Sequence, residues 1–163
     1  MTAQTSPEQR LVELGITLPQ APAGVGAYRN AQTIGDIVHL AGHGPIQGGR
    51  LAYQGRVPDQ VSVAEATDAA RLTTLNLLAS LRAEIGSLDN VVQVVHLFGM
   101  VRGAEDFGQH PVVIDGASHL LHEIFGDRGV HTRSAVGMNS LPFGIPVEIE
   151  MTVQVIGLSA PSV

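Results

Sequence analysis

The sequence predicts an α+β fold in which two packing helices lie on one face of a mixed β-sheet. Three patterns carry this expectation. Two segments, 62–86 and 107–126, place apolar residues at helical spacing. Val91–Arg102 (VVQVVHLFGMVR) is β-rich and apolar on both faces, as a strand in the middle of a sheet would be. In Ile145–Val155, six apolar residues alternate with Pro146, Glu148, Glu150, Thr152 and Gln154 at a period of two. A chain of 163 residues is long enough to bury one proper core, so residues 1–163 are assigned to one domain, with a helical extension over 1–20.

Taken in order, Ser6-Pro7-Glu8-Gln9 has the Ser cap, first-turn Pro and third-position Gln of a helix start, and Gly15 ends a helix of about two turns. Residues 19–26 form a Pro/Gly/Ala-rich connector that reads as a tether rather than a cover over a site. Asp36–Ala41 is a strand ending in the Gly42-His43-Gly44-Pro45 turn, where glycine permits close approach of a ligand to the backbone. Arg50–Gln54 reads as its hairpin partner. Ser62-Val63-Ala64-Glu65 is a capping box and Gly86 a stop; the helix between them is assigned packing and no chemistry. His96, inside the Val91–Arg102 strand, reads as a core histidine. Asp106-Phe107 leads into a second helix whose buried stripe is Val113, Ala117, Leu120, Leu121, Ile124 and Phe125, with Gly126 as the stop.

Composition narrows the function. Charged residues are only 15% of the chain against about 25% in an average soluble domain. Together with a central strand that helices cover on one side only, this predicts burial of the free sheet face against another copy. A net charge of −6 with nine Lys and Arg offers no basic stripe, so nucleic acid is not expected as a partner. The absence of cysteine removes thiolate chemistry and suits a reducing compartment. No apolar run approaches the roughly 20 residues of a membrane span, and a cytoplasmic protein without membrane contact is expected. His119 and His122 lie at i, i+3 on the second helix, but the spacing is not that of a helical zinc site. They are read as solvent-facing; no metal and no cofactor are expected.

The stretch Thr132–Val155 reads as two strands joined by a turn at Asn139–Gly144. Folded symmetrically, it places Arg133 opposite Glu150, with Glu148 one step along the same face. On pattern alone this is a cross-strand ion pair, worth at most about 1 kcal/mol if exposed.

From Arg133 onward, however, R-S-A-V-G-M-N-S-L-P-F-G-I-P-V-E-I-E resembles the closing signature of the RidA/YjgF family of reactive-intermediate deaminases, also labelled endoribonuclease L-PSP. Tyr28, the Ala41-Gly42-His43 turn and Asp106-Phe107 fall in the family's order, and the likeness runs from about Gly24 to Ile156. The N-terminal helix and extra residues near His110-Pro111 resemble a longer branch. The resemblance implies a chorismate-mutase-like homotrimer with ligand clefts between subunits. It further implies hydrolysis of enamines or imines, such as 2-aminoacrylate or 2-imino acids, to 2-keto acids and ammonia. Catalysis would rest on Arg133 as carboxylate anchor and Glu148 as water-handler, with Glu150 second in line. Tyr28, Gly42, His43, Phe107, Ala135 and Glu150 would bind substrate. Ala135 stands where many members have Cys, and His43 where many have Gln. A pathway-specific enamine deaminase of an aminomuconate-like intermediate, a non-catalytic small-carboxylate binder, and a ribonuclease complete the candidates, the last disfavoured by the acidic balance.

Overall fold

The computed structural model describes residues 5–24 and 26–157. The sheet runs in the order β1-β2-β7-β5-β6, built from β1 (Ala31–Ile34), β2 (Ile37–His43), β5 (Val91–Arg102), β6 (Thr132–Met138) and β7 (Val147–Val155). It is mixed: β5 and β6 pair parallel, and the other neighbours pair antiparallel. Two long helices, α2 (Val63–Ile85) and α3 (His110–Phe125), pack on each other; α2 covers β2 and β7, and α3 covers β5 and β6. The fold is the α+β layer that the sequence predicts.

Helix α2 begins and ends where its sequence signals stand, and α3 ends at Gly126 as expected but starts only at His110, three residues after Phe107 and without a side-chain cap. Ser62 caps α2 in a reciprocal capping box with Glu65, and Gly86 leaves the helix at φ +84°. All six stripe residues of α3 are buried. Gly116 lets α3 press against the Thr67 carbonyl of α2, at a place where a Cβ would collide with backbone. Ser6 and Gln9 cap α1 (Pro7–Glu13) as expected. The Glu8 carboxylate accepts from Leu88 N (2.9 Å) and Arg82 Nη1 (3.2 Å), and Arg10 Nε donates to the Glu123 carbonyl (3.0 Å). Helix α1 therefore ties the end of α2 to the end of α3.

Three local expectations are corrected. First, Thr132–Val155 is not a hairpin. Strands β6 and β7 run antiparallel to each other, but β5 lies between them: Arg133 pairs with Leu97, while Glu150 pairs with Phe98 and Glu148 with Met100. A strand apolar on both faces competes better for the interior position than the short turn does for closing a two-strand ribbon. Second, the partner of β2 is β1, joined through a two-residue Gly35-Asp36 loop with Gly35 at φ +66°, a tight-hairpin signal. Arg50–Leu51 (β4) instead pairs with Ile46–Gln47 (β3) as a small separate ribbon. Third, His96 is not in the core. Register shifts between Val91 and Gln93 and between Val94 and His96 each admit an extra residue, leaving Val92 and Val95 exposed and His96 half-buried, bonded to Thr132 Oγ1 (3.0 Å).

Candidate functional site

Alternation along β7 sends Val147, Ile149, Met151, Val153 and Val155 into the core under the helices, and Glu148 and Glu150 to the opposite face. Glu148 is the more sheltered of the two. Its carboxyl lies directly over Gly42, occupying the place a Cβ would take. Burial is the main cause, and the charge of Glu150 the second, that holds the Glu148 pKa above the ordinary carboxylate value. A cavity of about 120 Å³ opens beside it, walled by Gly42, His43, Tyr28, Ile145 and Phe143.

The His43 ring is only 6% exposed. Nδ1 sits 2.7 Å from the Ala41 carbonyl and Nε2 2.8 Å from Ser80 Oγ. A carbonyl can only accept, so Nδ1 carries the proton and Nε2 accepts from Ser80. Both nitrogens are spent inward. His43 is thus not the free polar group expected at this turn; it shows the cavity its ring and holds the turn to α2. One helical turn earlier, Asn76 Nδ2 donates to the carbonyls of Gly44 (3.1 Å) and Ile46 (2.9 Å). The helix assigned packing alone therefore shapes the cavity floor.

Burial also lowers the His43 pKa from 6.5, against the pull of the Ala41 carbonyl. Between that lowered value and 6.5 the unfolded chain binds more protons than the folded one, so stability is full above about pH 6.5 and is lost as pH falls below it. His131, whose pKa is also lowered, chiefly by burial, acts in the same direction. Melting temperatures measured from pH 7.5 to 5 are expected to fall, and to fall less steeply in His43→Asn. Parallel curves for the two proteins would refute the assignment.

The connector also departs from expectation. Pro22 and Ala23 line the cavity, and Asn30 Nδ2 donates to the Pro22 carbonyl, so this segment folds over the site. Tyr28 stands half-exposed at the rim. Phe143, unforeseen from sequence, lies at the mouth with its backbone at φ +58°, rare for an aromatic residue.

Arg133 belongs to a different place. It projects from edge strand β6 on the helix side, away from Glu148 and Glu150. Its Nη1 lies 2.8 Å from Asp115 Oδ1 and donates to Ser118 Oγ (3.0 Å); Nη2 donates to the Pro111 carbonyl (3.2 Å). Ser118 also meets His131 Nε2 at 3.0 Å, and His131 Nδ1 donates to the Gly129 carbonyl (2.6 Å). By the same logic as for His43, Ser118 gives its proton to His131 and accepts from Arg133. Ala135 lies two residues along β6 and Phe107 between β5 and α3, edge-on to His110, both partly buried against the core. Among the described residues no group of three or more His, Asp or Glu side chains is arranged to hold a metal, and His119 and His122 are exposed.

The residues expected at the site thus fall into two separate places: Glu148 with Gly42, His43 and Tyr28 around one cavity, and Arg133 with Asp115 and Ser118 on the helix side of β6. The mixed sheet with two helices on one face defines a chorismate-mutase-like α+β fold. Residues 8–147 match the family described as "YjgF/chorismate_mutase-like, putative endoribonuclease", and the chain belongs to that family. Protein TCP17 of Trypanosoma cruzi is 34% identical over 145 residues, 88% of this chain and 91% of that protein. The solved structure of Atu1372 from Agrobacterium tumefaciens is 38% identical, covering 92% of each chain at a TM-score of 0.86. Escherichia coli TdcF, solved with bound serine, shares the fold at 21% identity and a TM-score of 0.63, covering 84% of this chain and 94% of its own.

Proposed function

We propose that the chain is the subunit of a homotrimeric imine or enamine deaminase whose cleft joins the Arg133 half-site of one copy to the Glu148 half-site of the next. The observation that carries this reading is that the Arg133 guanidinium and the Glu148 carboxyl lie on opposite sides of one sheet. A prepared guanidinium fork and a desolvated carboxyl cannot act on one small molecule within a single chain. Edge strand β6 and the open sheet face are the surfaces through which copies would bring them together.

In that cleft Arg133 holds the carboxylate of a 2-imino acid, RC(=NH)COO⁻. The Glu148 carboxylate takes a proton from water as the oxygen adds to the imine carbon and passes it to the imine nitrogen, giving the carbinolamine RC(OH)(NH₂)COO⁻. Glu148 then takes the hydroxyl proton and delivers it to nitrogen as the C–N bond breaks, releasing RC(=O)COO⁻ and NH₃. Burial under Tyr28, Phe143 and the 22–23 segment limits competing water. The net charge of −6 agrees with a small-molecule cleft rather than an RNA surface.

The raised Glu148 pKa gives a pH prediction. A base must be ionised, so the acid limb of kcat/KM is expected to lie above the ordinary carboxylate range. Glu150→Gln removes the smaller of the two causes and should move that limb to lower pH, part of the way back. A limb that stays in place in this variant would separate Glu148 from the rate.

A binding-only role has one observation in its favour, the serine held by TdcF. Binding of 2-ketobutyrate without acceleration of imine loss would establish that role instead.

A further inference from the structure

A second cavity, of about 270 Å³, lies on the helix side of the β6 edge and is lined by Asp115, Ser118, His119, His122, His131 and Arg133. Arg133 does not face it as a free cation. Asp115 stands 2.8 Å from its Nη1, and the Asp115 side chain remains 41% exposed. A guanidinium has five donor hydrogens. The contacts to Asp115, Ser118 and Pro111 use three at most, which leaves two, the number a bidentate carboxylate takes. Asp115 in turn offers Oδ1 to Arg133, and its Oδ2 makes no hydrogen bond among the described residues. The cavity wall therefore holds, as neighbours, a guanidinium with donor hydrogens to spare and a partly exposed carboxylate.

We infer that Asp115 is a specificity-determining residue: with Arg133 it reads a zwitterion whose cationic nitrogen and carboxylate share one carbon, the 2-iminio acid form of the substrate. This rests on the reading of Arg133 as carboxylate anchor. A plain carboxylate brought to Arg133 meets the charge of Asp115 at close range and is repelled, whereas a zwitterion answers both charges. An iminium is also more electrophilic than the neutral imine, and a carboxylate beside its N–H favours the protonated form. Hydrolysis replaces that nitrogen with a carbonyl oxygen. The product then lacks the group Asp115 holds, which favours its release.

The test is calorimetry at pH 7.5 with L-alanine as the zwitterion and pyruvate as the plain carboxylate, on the wild-type protein, Asp115→Asn and Arg133→Ala. Wild type is expected to bind alanine about tenfold or more tighter than pyruvate, as one charge-assisted hydrogen bond implies. Asp115→Asn should erase that preference by weakening alanine and strengthening pyruvate. Equal weakening of both ligands in Asp115→Asn would mean that Asp115 only props the arginine, and overturns the inference. A wild-type preference for pyruvate, or no binding of either probe, overturns it as well. Arg133→Ala distinguishes the two levels: unchanged binding there sinks the anchor itself, whereas loss of both ligands beside an unaltered preference in Asp115→Asn sinks only the zwitterion reading.

Discussion

Arg133→Ala is expected to lower kcat/KM for a 2-imino acid by about 100-fold or more, with the fold intact. Two charged hydrogen bonds to the substrate carboxylate contribute roughly 1.5–3 kcal/mol each, and 1.4 kcal/mol is about a factor of ten. Lysine at this position should restore little, because a point charge cannot present two parallel donors. Stability should change far less than activity. Arg133 lies on an edge strand, and its pair with the partly exposed Asp115 is worth at most about 1 kcal/mol. The assay generates the imine in place with an amino-acid oxidase and follows its loss, with melting temperature as the control for folding. Wild-type rates in a folded Arg133→Ala protein would exclude the deaminase mechanism.

Gly42→Ala should be nearly as damaging, for a reason that lies in the backbone. The new methyl would take the space now filled by the Glu148 carboxyl. The displaced atoms are the tip of a flexible side chain, so the protein should fold and melt close to wild type. What is lost is the position of the base, and a general base accounts for about 10²–10⁴-fold in rate. Gly42→Ala and Glu148→Gln are therefore expected to fall into one activity class. Full activity in Gly42→Ala would place the water-handling group elsewhere.

How far the site was legible in the sequence depended on the distance over which each signal acts. Helix α2 could be read almost to the residue, and α3 by its stripe and terminal glycine, because caps, stripes and terminal glycines are local; the start of α3 has no side-chain cap and lay three residues later than Phe107. Val91–Arg102 was legible as a strand for the same reason, and the Glu148/Glu150 face followed from alternation. The partner of each strand was not. Thr132–Val155 has a turn in its middle and reads as a hairpin, but a 12-residue strand from earlier in the chain inserts between its halves. With that insertion Arg133 moved to the other side of the sheet from the glutamates. The roles of Asn76, Ser80 and Ser118 were hidden for a related reason: small polar residues in a helical stripe look like tolerated exceptions until the loop or arginine they hold is brought to them. The Gly35-Asp36 pair between β1 and β2, by contrast, is a local tight-hairpin signal.

The bonds from Asn76 and Ser80 have a consequence for how this pocket can change over evolution. They stand four residues apart on a 23-residue helix, so the pitch of that helix, rather than any loop, sets the spacing of the cavity floor. The roof and mouth are made of connector residues around Pro22 and Tyr28 and the turn at Phe143. Frame and lining are therefore inherited separately. On the proposed function, substitutions in the roof would retune which side chain a substrate carries without disturbing the carboxyl over Gly42, so new substrates would be reached by single steps that leave that carboxyl where it is.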